Sequence, residues 1–443
     1  MRDSHCPSHS HLSSRIASQW ARRHGAALVF VASLGSFGGV VQAQTAAAAA
    51  PAASAPAGPT VRAAMAPPLQ AARELINGKK GKEALARLDE AEALLPAPTS
   101  YESYVIARMR AVAAVDAGDS MLALTSFEKS VVSEYLPAGD QLPLLGVMSR
   151  LAIQLKDYPR AAVLLVQYKE AGGDDVALRR VLPQVLAEMG DFAGAVRESL
   201  VLLQADDAAG RGSAETLLRN LGFSQNKLGD MAGYVATLER LARQYPKLEI
   251  WADLIGRVER KPGFNGERLR LDVYRLQRAV GLELEAAELA DMASRAQQAG
   301  LPAEAQALLE EGFVSGALGK GKDGALHQKL REQAVKVAAQ DLKLLAESEK
   351  SALAGKDGNA LVNLALALSG AAQHDKAIVL SEQGLAKGDL RRPDEAQLHL
   401  GLMQWRAGRK DEALRSFGVV KGGDGSADLA RVWALFLSAA KSP

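Results

Sequence analysis

Three histidines and a cysteine crowd the first residues of the chain, as Ser4-His5-Cys6-Pro7-Ser8-His9-Ser10-His11, a donor set with the chemistry of a metal site. The segment offers no fold to hold those ligands in place, and it reads as part of an unstructured leader. Past residue 43, histidine occurs only at His327, His374 and His399. None of the three has a second histidine or a cysteine at helical spacing, so a packed or solvated role is expected for each. Cys6 is the only cysteine, which leaves the rest of the chain without a disulfide, a thiol nucleophile or a thiolate metal site. Gly319-Lys320-Gly321-Lys322-Asp323-Gly324 fits the letters of a dinucleotide fingerprint. That mechanism needs a strand before the glycines, and the preceding residues read as helix. No Gly-x-x-x-x-Gly-Lys-Ser/Thr stretch, His-Glu-x-x-His pair, EF-hand loop or Gly-x-Ser-x-Gly elbow is present. Acidic runs such as Glu283-Leu284-Glu285 and Glu347-Ser348-Glu349 look like solvated helix faces rather than catalytic pairs. No catalytic residue, cofactor or metal is expected, and the chain is not expected to be an enzyme.

What must the elements be, if they carry no reaction centre? The 443 residues allow several compact domains or one long repeat array. Apolar residues make up 48% of the chain but aromatics only 5%, so Ala and Leu must fill the core. With 23% charge of both signs, this favours helices packed through small residues over a sandwich or barrel. A formal charge of +2 argues against a nucleic-acid partner held by a large basic field.

The N-terminus reads as an export signal over residues 1–43. Arg15, Arg22 and Arg23 precede an uncharged run from Ala26 to Val41, and Val41-Gln42-Ala43 has the small residues a signal peptidase reads. The run is short for a spanning helix, which needs about 20 apolar residues. Cleavage near Ala43 and a soluble periplasmic protein without a membrane span are expected; an uncleaved anchor is the alternative. Residues 44–68 are rich in Ala and Pro and read as a disordered linker.

The remainder repeats itself. Ala117-Gly118-Asp119, Met189-Gly190-Asp191 and Ala407-Gly408-Arg409 each open a turn, followed by a small residue at Ala123, Ala195 and Ala413. Glycine suits the end of one helix and Asp caps the start of the next. Anchors at Ala84, Ala123, Ala161, Ala195, Tyr234, Ala305, Ala377 and Ala413 are spaced 39, 38, 34, 39, 71, 72 and 36 residues apart, so the two long gaps each hide a degenerate repeat. Twelve residues before most anchors stands another small residue: Ala72, Ala111, Ser149, Gly222, Ala293, Ala365 or Gly401. Two small residues at this separation let the helices of a hairpin approach closely. The exception is Pro183, which is expected to kink its helix or start it late. Residues 69–246 thus read as N-terminal repeats, 247–358 as degenerate repeats with loop insertions, and 359–443 as C-terminal repeats. Asp428–Ala439 is expected to cap the last open core face.

The pattern resembles the tetratricopeptide repeat, a helix–turn–helix unit of about 34 residues. The resemblance rests on Leu221-Gly222 with Tyr234, Leu238 and Pro246, on Leu400-Gly401 with Ala413 and Phe417, and on Ala111 with Ala123, Phe127 and Pro137. It implies an all-α, right-handed superhelical solenoid whose first helices line a concave groove. The groove-facing places of the family then fall on Arg108, Arg150, Arg180, Arg219 and Asn226. Such a ladder of guanidinium groups would hold a protein or extended peptide of acidic character; a merely solvated helix face is the alternative. In later repeats the same places hold Ser294, Gln297, Val362, Leu366, Leu398, Leu402 and Trp405, either an apolar patch or core. The resemblance implies a scaffold in envelope assembly or secretion. A glycan-binding or polysaccharide-export accessory is the second reading, and oligomeric state is left open.

Overall fold

The computed structural model describes residues 59–94 and 97–439. The export signal, the N-terminal histidines with Cys6 and residues 44–58 of the linker lie outside them. Among the described residues no strand is present, and the fold is an all-α helical repeat solenoid. The chain divides into two compact units, one ending at Leu144 and one starting at Leu145.

The first unit holds α1 (Ala66–Asn77), α2 (Gly81–Ala93), α3 (Ser100–Ala117), α4 (Ser120–Val131) and the first turn of α5 (Gln141–Gln154). The last residues of the expected linker are helical. A short 3-10 turn spans Ala63–Met65 and runs into α1, because Met65 is buried and Arg62 is tied to Glu102 through its backbone and guanidinium. Glu102 also closes a capping box with Thr99 at the start of α3. Its carboxyl is held down at about 2, chiefly by the Arg62 hydrogen bonds, against the opposing effect of burial.

The second unit continues with α6 (Tyr158–Glu170), α7 (Val176–Glu188), α8 (Phe192–Ala208), α9 (Glu215–Leu228) and α10 (Met231–Gln244). It goes on through α11 (Leu248–Glu259), α12 (Gly266–Ala279), α13 (Ala286–Gln298), α14 (Pro302–Ser315) and the long α15 (Gly324–Ala354). It ends with α16 (Asn359–Gly370), α17 (His374–Lys387), α18 (Pro393–Arg406), α19 (Lys410–Gly418) and α20 (Ser426–Ala439). The expected small residues sit at the helix crossings: Ala161, Ala195, Ala293, Ala305, Ala365, Ala377 and Ala413 are buried to within 1%. At Gly401 an added Cβ would lie 2.5 Å from the Phe417 ring, so this crossing has no room for a side chain. Pro183 lies inside α7 and is buried, so that helix does not start late.

The turns follow the expected chemistry. Asp157, Asp191 and Asp230 each accept a backbone N–H of the helix they open. The residue before the cap is left-handed: glycine at Gly190 and Gly229, but Lys156 and Ala372 at the equivalent places, both with φ of 59°. One hidden repeat is the α11–α12 hairpin; the other is the single helix α15. Gly319–Gly324 forms turns and a short 3-10 segment ahead of α15, with no strand before it.

The C-terminal helix does more than cap a free end. α20 packs not only on α19 and α18 but also on α10, α11 and α12. A single core therefore joins Trp251, Leu254, Leu269 and Val273 to Leu398, Leu402, Phe417 and Trp433. Trp433 is 1% exposed and lies 4.8 Å from Trp405 and 6.0 Å from Phe417 and Phe436, and Phe436 meets Trp251 edge-on. Ion pairs lace the same seam: Arg268 with Glu395 and Asp424, Lys261 with Asp428 at 2.8 Å, and Arg431 with Glu239 at 2.9 Å. Within this unit the row of hairpins turns back until its last helix meets its middle ones.

Candidate functional site

Arginines on the first helices of successive hairpins were the sequence candidates, and each reaches an acid, on the next hairpin for Arg108, Arg150 and Arg219 and on the second helix of its own hairpin for Arg180. In the first unit Arg108 of α3 donates to Asp140 at 2.6 Å. In the second, Arg150 of α5 pairs with Asp175, the residue that caps α7. Arg180 of α7 donates to Asp206 at 2.6 Å, in the last turn of α8. Arg219 of α9 donates to Glu215 at 2.8 Å and to Glu249 of α11 at 2.9 Å. The expected row of free guanidinium groups is thus a row of ion pairs. For Arg108, Arg150 and Arg219 the physical reason is local: the next hairpin begins with an acid that favours a helix N-terminus, and this places a carboxylate within reach of the preceding arginine, whereas Arg180 meets an acid at the far end of α8. The pairs differ in access. Arg150 and Arg219 are partly exposed and Glu249 is 65% exposed, whereas Asp206 is buried and shared with Arg211. Asn226 is exposed near the end of α9, beside the turn to α10.

The later groove places are spent differently. Leu398 and Leu402 are core residues, Leu366 packs against core, and Trp405 stacks into the aromatic seam. Where the later hairpins turn back, their inner faces meet α12 and α14 and bury an ion network. Arg275 of α12, 2% exposed at its side chain, clamps Glu304 of α14 with bonds of 3.0 and 2.5 Å and donates to Asp272 at 2.7 Å. Arg406 of α18 donates to the same Glu304 at 2.8 Å. His399 of α18 lies 3.0 Å from Asp272 through Nε2. Burial alone would raise both carboxyls, but their partners win: Arg275 and Arg406 hold Glu304 at about 2, and the contacts with His399 and Arg275 hold Asp272 well below the carboxylate range. Burial pulls the Arg275 guanidinium down, yet its two carboxylates raise it above the ordinary value. For Arg406 burial and the nearby Arg275 prevail over Glu304, and its affinity for a proton falls.

Beside this network the second unit has an open cleft of about 460 Å³, lined among others by Arg275, Glu304, Arg406, His374, Trp405 and Met292. The His374 Nδ1 lies 3.3 Å from the Ser369 hydroxyl, and burial together with Arg406 lowers the proton affinity of the ring. Among the described residues no group of three or more His, Cys, Asp or Glu is placed to hold a metal, and no helix is long and apolar enough to cross a membrane.

Residues 217–247, which span α9, α10 and the turn between them, match the family model described as Tetratricopeptide repeat. The chain carries a tetratricopeptide repeat. No curated protein matches it in sequence. Solved structures similar to it include a tetratricopeptide repeat protein from Parabacteroides merdae, at 10% identity and a TM-score of 0.27 over 74% of this chain and 99% of that one. Others are the TPR2AB domain of yeast Sti1 in its pHSP90 complex (13%, TM-score 0.23, 69% and 100%) and yeast Tom70 (11%, TM-score 0.23, 84% and 94%).

The matched hairpin holds one of the three residue sets that carried the sequence resemblance, Leu221-Gly222 with Tyr234, Leu238 and Pro246. Gly222 faces Tyr234, whose ring would stand 3.1 Å from an added Cβ. The Tyr234 hydroxyl bonds Asp253 of α11; burial and then that carboxylate push it up to about 12. The buried network escaped sequence reasoning, because Asp272 and His399 are 127 residues apart and Glu304 and Arg406 are 102 apart. The one available signal was the change at the later groove places from arginine to leucine and tryptophan.

Proposed function

We propose that this tetratricopeptide-repeat protein is a non-catalytic scaffold of the bacterial periplasm, exported and clipped near Ala43. It holds a protein or extended peptide of acidic character during envelope assembly or secretion. The observation that carries the reading is the succession of Arg–acid pairs on the first helices of the second unit, partly exposed at Arg150 and Arg219 and with a buried acid at Arg180, with Asn226 beside them. Exposed pairs of this kind contribute only about 0–1 kcal/mol to folding, so a partner carboxylate can replace the resident acid at small cost. The guanidinium fork then meets the incoming carboxylate with two parallel hydrogen bonds. Arg108 is the corresponding contact of the first unit. The matched repeat supports a binding rather than a reacting surface, since stacked hairpins present long rows of side chains from neighbour-only contacts.

A photo-crosslinking residue at Asn226, followed by mass spectrometry of the periplasmic fraction, tests this. A defined protein should be recovered, and its recovery should fall in the double variant Arg150→Gln, Arg219→Gln. Recovery that is indifferent to both changes, or a chain retained in the cytoplasm with its first residues intact, refutes the proposal.

A further inference from the structure

The long α15 differs from the other late helices of the second unit in having no hairpin mate. α13 pairs with α14, α16 with α17 and α18 with α19, whereas α15 runs between neighbouring hairpins, along α14 and onto α16. Its inner side is anchored toward both ends. Leu330 and Ala334 join the core of α13 and α14, and Arg331 grips Glu310 with bonds of 2.9 and 2.5 Å. Leu345 and Ala352 join the core of α16, α17 and α18. The outer side is left bare. Val335 is 40% exposed, Leu342 62% and Leu353 48%, and Ala339 is exposed between the first two. Their steps of 4, 3 and 11 residues keep to one line along a helix, in the register of a coiled-coil seam. Beside that line stand Lys329, Lys336, Lys343 and Lys350, at steps of seven residues and all exposed. Among the described residues none of the four makes an ion pair; the pairs of this helix are Arg331 with Glu310 and Glu349 with Lys376. The acids on the bare side are Glu332, which accepts from Gln328, and Glu347.

We propose that this face docks an acidic amphipathic helix of a partner protein, which lies along α15 as the mate it lacks. The partner's apolar row meets Val335, Ala339, Leu342 and Leu353, and its carboxylates meet the four lysines. Charge complementarity selects this occupant. A second copy of the chain would bring another lysine row to the seam, with only Glu332 and Glu347 to offset it. A lipid surface needs a broad apolar face, and this one is a single row with charge beside it. At 1.5 Å per residue the lysine row is about 32 Å long, so a partner helix of about 21 residues covers it. The site is independent of the partner surface proposed above, since it uses none of the paired arginines of α5, α7 and α9.

Fluorescence anisotropy reads this with the full-length protein and a labelled peptide of three heptads, with Leu at the first and fourth places of each and Glu on both flanks. The glutamates keep the probe from pairing with itself. Saturable one-to-one binding is expected, and the same peptide with Lys in place of Glu should not bind. The double variant Lys336→Glu, Lys343→Glu should weaken the acidic peptide by about tenfold or more, because like charges then face each other. Leu342→Asp should weaken it by a similar factor. All three positions are exposed, so both variants should keep the circular dichroism and urea midpoint of wild type. Sedimentation of the protein alone and flotation with phosphatidylglycerol vesicles read the other two occupants. Absence of saturable binding, equal binding of the lysine peptide, or binding untouched by either variant overturns the proposal. So does a dimer broken by Leu342→Asp, or vesicle binding lost in the lysine variant.

Discussion

Glu304→Gln tests the buried network most directly. The side chain is 7% exposed and accepts three hydrogen bonds, two from Arg275 and one from Arg406. The amide keeps the shape but leaves two guanidinium groups facing one another with Asp272 as the remaining anion. Removing one partner of a buried pair costs about 3–5 kcal/mol. The proton affinity supports the same size. A carboxyl that falls from 4.5 to about 2 on folding contributes about 3 kcal/mol at neutral pH. The sign follows from the direction of the shift: the contribution is complete above the unfolded value near 4.5 and disappears as pH falls through about 2. Urea unfolding followed by tryptophan fluorescence is the assay, because Trp251, Trp405 and Trp433 all lie in the seam that closes this unit. At pH 7 the variant should unfold at markedly lower urea. Between pH 4.5 and 2 the wild type should lose stability more steeply than the variant, in which only Asp272 and more exposed carboxyls still titrate. A variant within about 0.5 kcal/mol of wild type at pH 7, or parallel pH profiles, would refute the reasoning.

Trp433→Ala should cost about 3–5 kcal/mol in the same urea assay, since it empties the centre of the aromatic seam. Ala372→Gly should raise the midpoint of thermal unfolding, with a gain of about 1 kcal/mol, because Ala372 holds a φ of 59° where equivalent turns use glycine; a lower midpoint would contradict the strain argument. The double variant Arg150→Gln, Arg219→Gln should stay within about 1–2 kcal/mol of wild type by urea unfolding, because both pairs are partly exposed.

Most of the hairpin architecture was legible in the sequence because its determinants are local. A small residue recurs twelve places before another, a short turn separates them, and both crossings bury as expected at Ala293 with Ala305 and at Ala365 with Ala377. The closure of the second unit was not legible. Its contacts pair Lys261 with Asp428 and Arg268 with Glu395, groups 167 and 127 residues apart, and no periodicity encodes such a separation. The Ala/Pro composition likewise hid the helical turn at Ala63–Met65, beside which Arg62 forms a tertiary pair with Glu102. The arginine positions were readable, but their acids were not, since Asp175 and Glu249 look in sequence like ordinary residues of a helix start.

Closure and binding divide the second unit between them. Burying charge is costly unless each group is paired, and at the inner faces of α12, α14 and α18 the chain meets that cost with Arg275, Asp272, Glu304 and His399, all drawn from its own helices. Those faces are therefore committed to the fold, and Leu398, Leu402 and Trp405 are committed with them. The α5, α7 and α9 helices instead carry arginines whose pairs remain partly solvated at Arg150 and Arg219. A solvated pair gains little from its partner and loses little on exchanging it, whereas Arg275 and Glu304 hold each other where water does not compete. The same residue types thus serve two ends, and burial decides which: arginine locks the closed part of the unit and, under the proposed function, presents an exchangeable contact in the part that precedes it.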